Sequence, residues 1–460
     1  MKAMETTTRE LLEQAASRGI RYLENLDARG VFPSQEALRR LAELGGPLQT
    51  EPMDAVAVLA VLDEIGSAAT VASTGQRYFG FVTGGALPAT VAANWLASTW
   101  DQNAGLEVQS PVSAALEEIA RGWLLEILSL PQGTGVGFVT GATMANFTAL
   151  AAARHNVLEH AGWDAEADGL FGAPAVTVIV GDEVHVSVLK ALMMLGLGRD
   201  RIVRVPTDEQ GRMRVDALPK IAGATIVCMQ AGNVNSGAFD PAAEICGAAH
   251  DAGAWVHVDG AFGMWAAAAP RHAHLVRGLA EADSWATDAH KWLNVPYDCG
   301  IAFVREARHL QAAMSVNAAY LMRGEKREPC QFTPEMSRRA RGVEVWAALR
   351  SLGRRKLGEM IERNCRGAAR FAEGLKAAGY EILNEVTLNQ VLVSFGSDAR
   401  TRSVIAALQE DGTCWCGGTV WHGRAAMRIS VSSWATTEED VGRSLEGMIR
   451  VAGSETADRF

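Results

Sequence analysis

The stretch "ATIVCMQAGNVNSGAFDPAAEICGAAHDAGAWVHVD", residues 224–259, carries the pattern that decides the fold. It contains two near-continuous apolar runs, "ATIVCMQAG" and "WVHVD", separated by a polar loop and the helical piece "PAAEICGAAHDAG". Buried strands joined by crossover helices are typical of a mostly parallel sheet that is covered on both faces. The stretch therefore predicts an α/β fold.

The same alternation of apolar runs and helical pieces extends from about residue 120 to residue 305. Further apolar runs are "VGFVT", "AVTVIVGD", "RIVRV" and "GIAFV", and helical pieces such as "TMANFTALAAARH" and "HVSVLKALMML" lie between them. Ligands of such sheets bind outside the carboxyl ends of the strands. We therefore expect the functional residues to follow strands directly.

The two ends of the chain have different patterns. Residues 6–66 place apolar residues at helical intervals, Ser34 is a candidate N-cap, and these helices need another surface to pack on, such as a second subunit. Beyond about residue 345 the order helix, strand, strand, helix, strand, helix predicts a smaller α+β domain. Its last helix is expected in "TTEEDVGRSLEGMIR".

Composition excludes some classes of function. The 460 residues carry a formal net charge of −10 without a basic block, which argues against nucleic acid as a main partner. The N-terminus lacks the apolar core of a signal peptide, and no apolar run is long enough to span a bilayer. Seven cysteines, an odd number, fit a reducing compartment. We expect a cytoplasmic protein.

Two segments follow strands and begin helices. In "VGFVTGATMANFTAL", the N–H groups of Ala142 and Thr143 at a helix start after Gly141 would bind a phosphate, although an ordinary strand–helix turn has the same pattern. In "VIVGDEVHVSVLKAL", His185 could stack on a flat cofactor or be a buried histidine bonded to a carbonyl.

Two further strand ends carry polar residues. The loop "GNVNSG", residues 232–237, includes Asn235 and is either a ligand loop or a turn chosen for its backbone angles. Asp259 ends "WVHVD" and precedes the small residues Gly260 and Ala261. A buried carboxylate there needs a cation, such as a protonated pyridine nitrogen, or else it caps the next turn.

The segment "DSWATDAHKWLNVP", residues 283–296, contains a single lysine, Lys291. Desolvation would lower its pKa and make its amine nucleophilic, as Schiff-base formation requires, although a lysine in this setting is more often a snorkelling charge. His290 and Thr287 could add donors to a phosphate. In their order along the chain, these segments supply a phosphate-binding turn, a stacking histidine, a strand-end aspartate and a lysine. Pyridoxal phosphate requires these contacts.

At this point the chain resembles the group II pyridoxal-phosphate decarboxylases, relatives of the aromatic amino acid and glutamate decarboxylases, within fold type I of the aspartate aminotransferase superfamily. The resemblance covers about residue 75 to the C-terminus. It is carried by "RYFGFVTGG", "SPVSAALEEIARGWLLEIL", "TGATMANFTAL", "HVSVLKA", "GAFDP", "HVDGAFG", "DAHKWLNVPYDCG", "AAYL" and "SRRARGVEVWAALRSLG".

The resemblance implies a mostly parallel seven-stranded sheet and three parts. These are a helical arm that packs across a homodimer (1–75), a large cofactor-binding domain (76–325) and a small C-terminal α+β domain (326–460). The active sites would be shared between the subunits. The implied reaction is decarboxylation of an L-amino acid to the amine through an external aldimine and a quinonoid.

The resemblance also implies residue roles. Lys291 would form the internal aldimine, Asp259 would hold the pyridinium proton, His185 would stack on the ring, and Ala142 and Thr143 would bind the phosphate. The other cofactor contacts expected are Ala261 and His290.

Substrate-side roles are implied in the same way. Tyr320, on a polar stretch typical of a lid, matches the proton donor of the family, and Arg428 matches an arginine near the substrate carboxylate. Phe81 and Val82, with Trp100, would line an apolar pocket, which favours an aromatic substrate. Asn235 lies in a loop that departs from the family pattern.

One segment is unusual, "TCWCGGTVWHG", residues 413–423. Two thiols, Cys414 and Cys416, are weak grounds for a metal site, and we expect none. We expect instead a loop on the substrate side with Trp421 and His422 in the pocket.

Other reactions stay open. The same cofactor could support an aldehyde synthase, a carbon–carbon lyase or an aminotransferase, and a catalytically silent binding or scaffold homologue is the alternative from another class.

Overall fold

A computed structural model of the chain describes residues 7–316 and 327–457. The α-helices are α1 (Thr8–Glu24), α2 (Gln35–Arg40), α3 (Ala55–Val61), α4 (Pro88–Trp100), α5 (Pro111–Ile127), α6 (Ala142–His160), α7 (Ala165–Asp168), α8 (Val186–Met194), α9 (Ala242–His250), α10 (Ala307–Met314), α11 (Gly342–Ala377), α12 (Asp398–Asp411) and α13 (Glu438–Ala457). The strands are β1 (Gly135–Val139), β2 (Thr177–Gly181), β3 (Val203–Val205), β4 (Thr225–Gln230), β5 (Trp255–Asp259), β6 (Ser284–Asp288), β7 (Gly300–Val304), β8 (Glu381–Ile382), β9 (Gln390–Ser394), β10 (Gly417–Trp421) and β11 (Arg424–Ser430).

The large sheet has seven strands in the order β1-β7-β6-β5-β4-β2-β3. Strand β7 runs antiparallel to both of its neighbours, and the other strands are parallel to one another. All residues of β1, β4, β5, β6 and β7 are buried, because helices cover both faces. The predicted α/β fold with a mostly parallel seven-stranded sheet is confirmed.

Helix α6 lies across the middle of this sheet, against β5, β6 and β7. Alanines such as Ala149, Ala152 and Ala153 are fully buried along it, and their small side chains let the helix approach the strands closely. The helix starts directly after β1, so its first turn lies at the carboxyl edge of the sheet, beside the ends of β5 and β6.

The second sheet is antiparallel, in the order β10-β11-β9-β8. The prediction of a loop at residues 413–423 was wrong, because residues 417–421 form strand β10 and pair with β11. Two residues, His422 and Gly423, connect these strands with φ of 47° and 78°. Positive φ at both positions is the two-residue turn that matches strand twist. Histidine is not one of the usual residues of such a turn, so the hairpin was missed.

The N-terminal segment is helical as expected, and the Ser34 hydroxyl accepts a hydrogen bond from the Ala37 N–H at 3.2 Å, which confirms it as an N-cap. No residue of α1 is buried, and Leu12, Ile20 and Leu23 are exposed. Within the described residues, no helix is long and apolar enough to cross a membrane. The limits at residues 75 and 325 stay a prediction.

Candidate active site

Lys291 lies just beyond β6, at the carboxyl edge of the large sheet. Its Nζ is 3.0 Å from Oδ2 of Asp288, and the Lys291 side chain is 17% exposed. The other oxygen of Asp288 accepts the Ala142 N–H at 2.6 Å and lies 3.5 Å from Nε2 of His290. Asp288 therefore joins Lys291 to the first turn of α6. Sequence reasoning missed it, although it stands three residues before Lys291.

The first turn of α6 approaches the start of β7 very closely. A Cβ atom on Gly300 would lie 2.4 Å from backbone atoms of Gly141, and a Cβ on Gly141 would lie 3.1 Å from the His290 ring. Only glycines permit this contact. The predicted phosphate residues Ala142 and Thr143 therefore lie beside His290, where the positive end of the α6 dipole is directed.

Asp259 ends β5 and is 5% exposed. Its Oδ1 accepts the Ala261 N–H at 3.2 Å, and its Oδ2 accepts from Asn146 Nδ2 and Ser187 Oγ, both at 3.3 Å. No lysine, arginine or histidine in the described ranges pairs with it within 4.0 Å. A buried carboxylate with neutral donors alone is costly, and a cation beside it would offset that cost.

His185 is the N-cap residue of α8. Its Nδ1 accepts the Ser187 N–H at 3.2 Å and lies 2.8 Å from Ser187 Oγ. Burial lowers the pKa of His185; the Asp259 charge acts in the opposite direction, and Lys291 and Arg428 lower the pKa further. The imidazole of His185 is therefore neutral. Asp259, Lys291 and Arg428 all act on it electrostatically, so the fold brings these predicted site residues together.

Two polar residues behind Asp259 were not predicted. Oδ1 of Asn146 bonds to Nε2 of His257 at 2.9 Å, and Nδ1 of His257 bonds to Ser284 Oγ at 2.9 Å. Burial lowers the pKa of His257 to about 3, so the ring is neutral. The contact fixes the amide of Asn146 with its NH₂ group toward Asp259. Little in the sequence indicated this contact, because His257 lies within the apolar strand pattern "WVHVD".

Asn235 and Arg428 come together between the two sheets. Nη1 of Arg428 donates to Oδ1 of Asn235 at 3.4 Å, and Thr419 donates to the same oxygen at 3.0 Å. Burial lowers the pKa of Arg428. Asp240, at the end of the loop that follows β4, accepts the N–H groups of Met213 and Gln230 at 2.7 and 2.6 Å.

The apolar residues predicted to line the substrate pocket differ in solvent exposure. Phe81 and Val82 have φ of 53° and 60°, the left-handed region that non-glycine residues rarely adopt. Phe81 is 62% exposed with its ring 5.5 Å from that of Trp415, and Val82 is buried in the main core. Trp100, the last residue of α4, is 41% exposed.

Some predicted contacts differ in the structure. The Thr287 hydroxyl donates to the Gly260 carbonyl at 2.8 Å and is fully buried, so its proton is engaged within the sheet edge. Trp421 is buried beside Leu392 and Ala426, and His422 lies in the exposed hairpin turn. The expectation of a loop here was wrong, because the segment is a strand, and the role of these two as pocket residues stays a prediction. Tyr320 lies outside the described residues.

Comparison with known proteins identifies relatives. The pyridoxal-dependent decarboxylase conserved domain matches residues 62–396. The chain is 28% identical over 411 residues to tryptophan decarboxylase 1 of Oryza sativa subsp. japonica, covering 80% of this chain and 79% of that protein. It is 29% identical over 384 residues to L-2,4-diaminobutyrate decarboxylase of Rhizobium meliloti, covering 79% and 75%. Among solved structures, Oryza sativa TDC with PLP and tryptamine has a TM-score of 0.90 at 22% identity, covering 98% and 99%.

Proposed function

Since the chain belongs to the pyridoxal-dependent decarboxylase family and is a carboxy-lyase with pyridoxal phosphate as its cofactor, we propose that it converts an L-amino acid with an aromatic side chain into the amine and CO₂. When bound, the cofactor supplies an electron sink for the electron pair left by the departing carboxylate. The protein supplies binding, orientation and proton transfer.

The residues at the carboxyl edge fit this cofactor. The observation that carries the assignment is the buried Asp259 carboxylate, whose hydrogen-bond donors at 3.2–3.3 Å are all neutral. A protonated ring nitrogen would be a suitable counter-ion for this carboxylate. Lys291 would hold the cofactor covalently, and His185 would pack against its ring.

The phosphate is held at the start of α6. The N–H groups of Ala142 and Thr143 and the positive end of the helix dipole serve as the anion site, with His290 beside them. Ala261, small and next to Asp259, leaves space for the flat ring. The Ala142 N–H donates to Asp288 at 2.6 Å, so it would bind the phosphate only once that contact is released.

Asp288 has a separate role toward Lys291. When it is not joined to the cofactor, the Lys291 amine would carry a charge in a largely buried place. Asp288 Oδ2, 3.0 Å from Nζ, gives that ammonium a counter-ion and holds it next to the site.

The substrate carboxylate is directed toward Arg428. Its guanidinium shares Asn235 with Thr419, which fixes one N–H and leaves the others for a carboxylate. The loop departs from the family at "GNVNS", so Asn235 is the residue through which substrate choice differs from that of relatives. A rigid clamp in the ring plane would favour transamination instead.

The aromatic specificity rests on Phe81. Left-handed backbone at Phe81 and Val82 costs about 1–3 kcal/mol per residue and persists only where the surrounding structure imposes it. The result is an exposed phenyl ring beside Trp415, a surface suited to a substrate ring. Tyr320 delivers the proton to Cα, by the family resemblance alone.

The enzyme acts as a homodimer with shared active sites. The apolar residues Leu12, Ile20 and Leu23 on α1 and Trp95 and Leu96 on α4 are exposed, which supports a partner surface against the helical arm. The seven cysteines are unpaired thiols, which supports a cytoplasmic location. Light scattering of the purified chain tests the dimer, and a monomer at assay concentration would contradict it.

One experiment tests reaction and site together. The purified chain with pyridoxal phosphate is incubated with tryptophan, tyrosine, phenylalanine, glutamate and 2,4-diaminobutyrate, and the products are identified by mass spectrometry. We expect amines and CO₂ from the aromatic substrates. Aldehyde or keto acid products would favour the synthase or aminotransferase alternative, and protein that stays colourless would favour a silent scaffold. Borohydride reduction followed by peptide mapping should place the phosphopyridoxyl label on Lys291.

A further inference from the structure

A cluster of metal-ligating side chains lies on α6 away from its first turn, separate from the candidate active site. His155 and Glu159 stand four residues apart and therefore share one face of α6, and His309 is the third residue of α10, which packs beside it. One ligand atom from each of these three residues lies within 4.8 Å of the others. His155 is 13 residues from Ala142, about 20 Å along the helix, so the cluster is separate from the candidate active site.

Among the described residues, the ring nitrogens that face Glu159 have no stronger hydrogen-bond partner. Nε2 of His155 lies 3.8 Å from Glu159 Oε2, and Nδ1 of His309 lies 4.0 Å from the same oxygen. These separations are too long for hydrogen bonds. Three donor atoms thus converge on one point without satisfying one another.

The second ring nitrogen of His155 and that of His309 each have a polar neighbour at hydrogen-bond distance. Nδ1 of His155 lies 2.6 Å from Oε2 of Glu166. Nε2 of His309 lies 3.0 Å from Nδ2 of Asn156, which is a hydrogen-bond donor, and 3.7 Å from Glu306 Oε2. Metal-binding histidines almost always donate their second N–H to a carboxylate or carbonyl, which fixes the ring and raises its basicity, and His155 has Glu166 in that role. Nδ1 of His309 binds a metal only in the tautomer that carries its proton on Nε2, where Glu306 is the carboxylate at hand.

The two rings are also positioned by packing. The His309 side chain is 3% exposed, and its ring meets Trp255 edge-on at 5.7 Å. The His155 side chain is 13% exposed, and that of Glu159 is 52% exposed. Tetrahedral zinc with bonds of about 2.0–2.1 Å needs ligand atoms about 3.3 Å apart. The exposed Glu159 can move toward an ion, and the two ring nitrogens, which lie within 4.8 Å of each other, would also have to approach.

We propose that His155, Glu159 and His309 form a binding site for a zinc-class divalent ion, with water in the fourth position. Two imidazoles and one carboxylate are a donor set that Zn²⁺ accepts in proteins. The bound ion cross-links α6 to α10 and so stabilises the face of the large domain that carries these helices.

Metal uptake by the full-length, cofactor-loaded chain tests this, independently of its enzymatic activity. After chelator treatment and dialysis, Co²⁺ is added and its visible d–d absorption is followed; Zn²⁺ is then added as a competitor. We expect one Co²⁺ per chain, displaced by Zn²⁺, and a melting temperature that rises with Zn²⁺ concentration. Failure of the wild-type chain to bind Co²⁺ would overturn the proposal.

Variants locate the site. Glu159→Gln removes an exposed ligand and should abolish the Co²⁺ spectrum without changing the metal-free melting temperature. Glu166→Gln, which removes the partner of the His155 ring, should weaken binding by about 10–100-fold. The control His160→Asn changes an exposed histidine on the same helix and should bind as the wild type does. Wild-type affinity in both Glu159→Gln and His155→Asn would refute the site.

Discussion

Replacing Asp259 by asparagine tests the residue on which the proposed site depends. Asparagine has the same size and can still accept the Ala261 N–H, but it removes the negative charge. The described neighbours of Asp259 are neutral donors, so the protonated ring nitrogen loses its counter-ion. Breaking a buried charge pair costs about 3–5 kcal/mol, which corresponds to a fall in kcat between about 10² and 5 × 10³.

The assay measures kcat for amine release at saturating cofactor and substrate, with cofactor occupancy followed by absorbance. Asp240→Asn is the matched control, because Asp240 is also buried after a strand of the same sheet but accepts only backbone N–H groups. We expect the control to keep wild-type kcat per folded molecule. A cofactor-loaded Asp259→Asn enzyme within about threefold of wild type would refute the reasoning.

Three further predictions use other parts of the chain. Tyr320→Phe should lose amine and gain aldehyde, and unchanged amine release would exclude Tyr320 as the proton donor. A Cβ on Gly84 would lie 1.8 Å from the Lys291 carbonyl, so Gly84→Ala should destabilise the fold by about 1–3 kcal/mol and weaken cofactor binding. Gly122→Ala, in open space on α5, is its control and should not destabilise. Burial raises the pKa of Asp240 to about 6, above the unfolded value near 3.9. The folded chain therefore holds the proton more tightly, and as pH rises from about 3 to 7 the free energy of unfolding should fall, relative to Asp240→Asn, by about 3 kcal/mol. Urea unfolding of both proteins at each pH measures this difference, and parallel profiles would contradict it.

Most of the large sheet was predictable, because apolar strands and crossover helices leave a local pattern. The small sheet was less predictable from the sequence. Strand β10 alternates between exposed and half-buried residues, and its hairpin turn uses His422 rather than the usual asparagine or aspartate.

The residues of the candidate site also divide into those that the sequence predicted and those that only the structure revealed. Asp259 and Lys291 follow strands, and the parallel order of β5 and β6 places both at one edge, so their proximity followed from the strand pattern. Asp288 was missed because its three partners become visible only when α6, β6 and the following turn are packed together.

By itself, the sequence determined which residues end strands, begin helices and carry chemistry, because these properties depend on neighbours within a few positions. Only the tertiary structure decided the contacts between distant segments. Asn146 meets Asp259 across 113 positions, Asn235 meets Arg428 across 193, and His155 of α6 approaches His309 of α10. Such contacts depend on how close-packed helices and sheets set the distance between side chains, and no local periodicity records that distance.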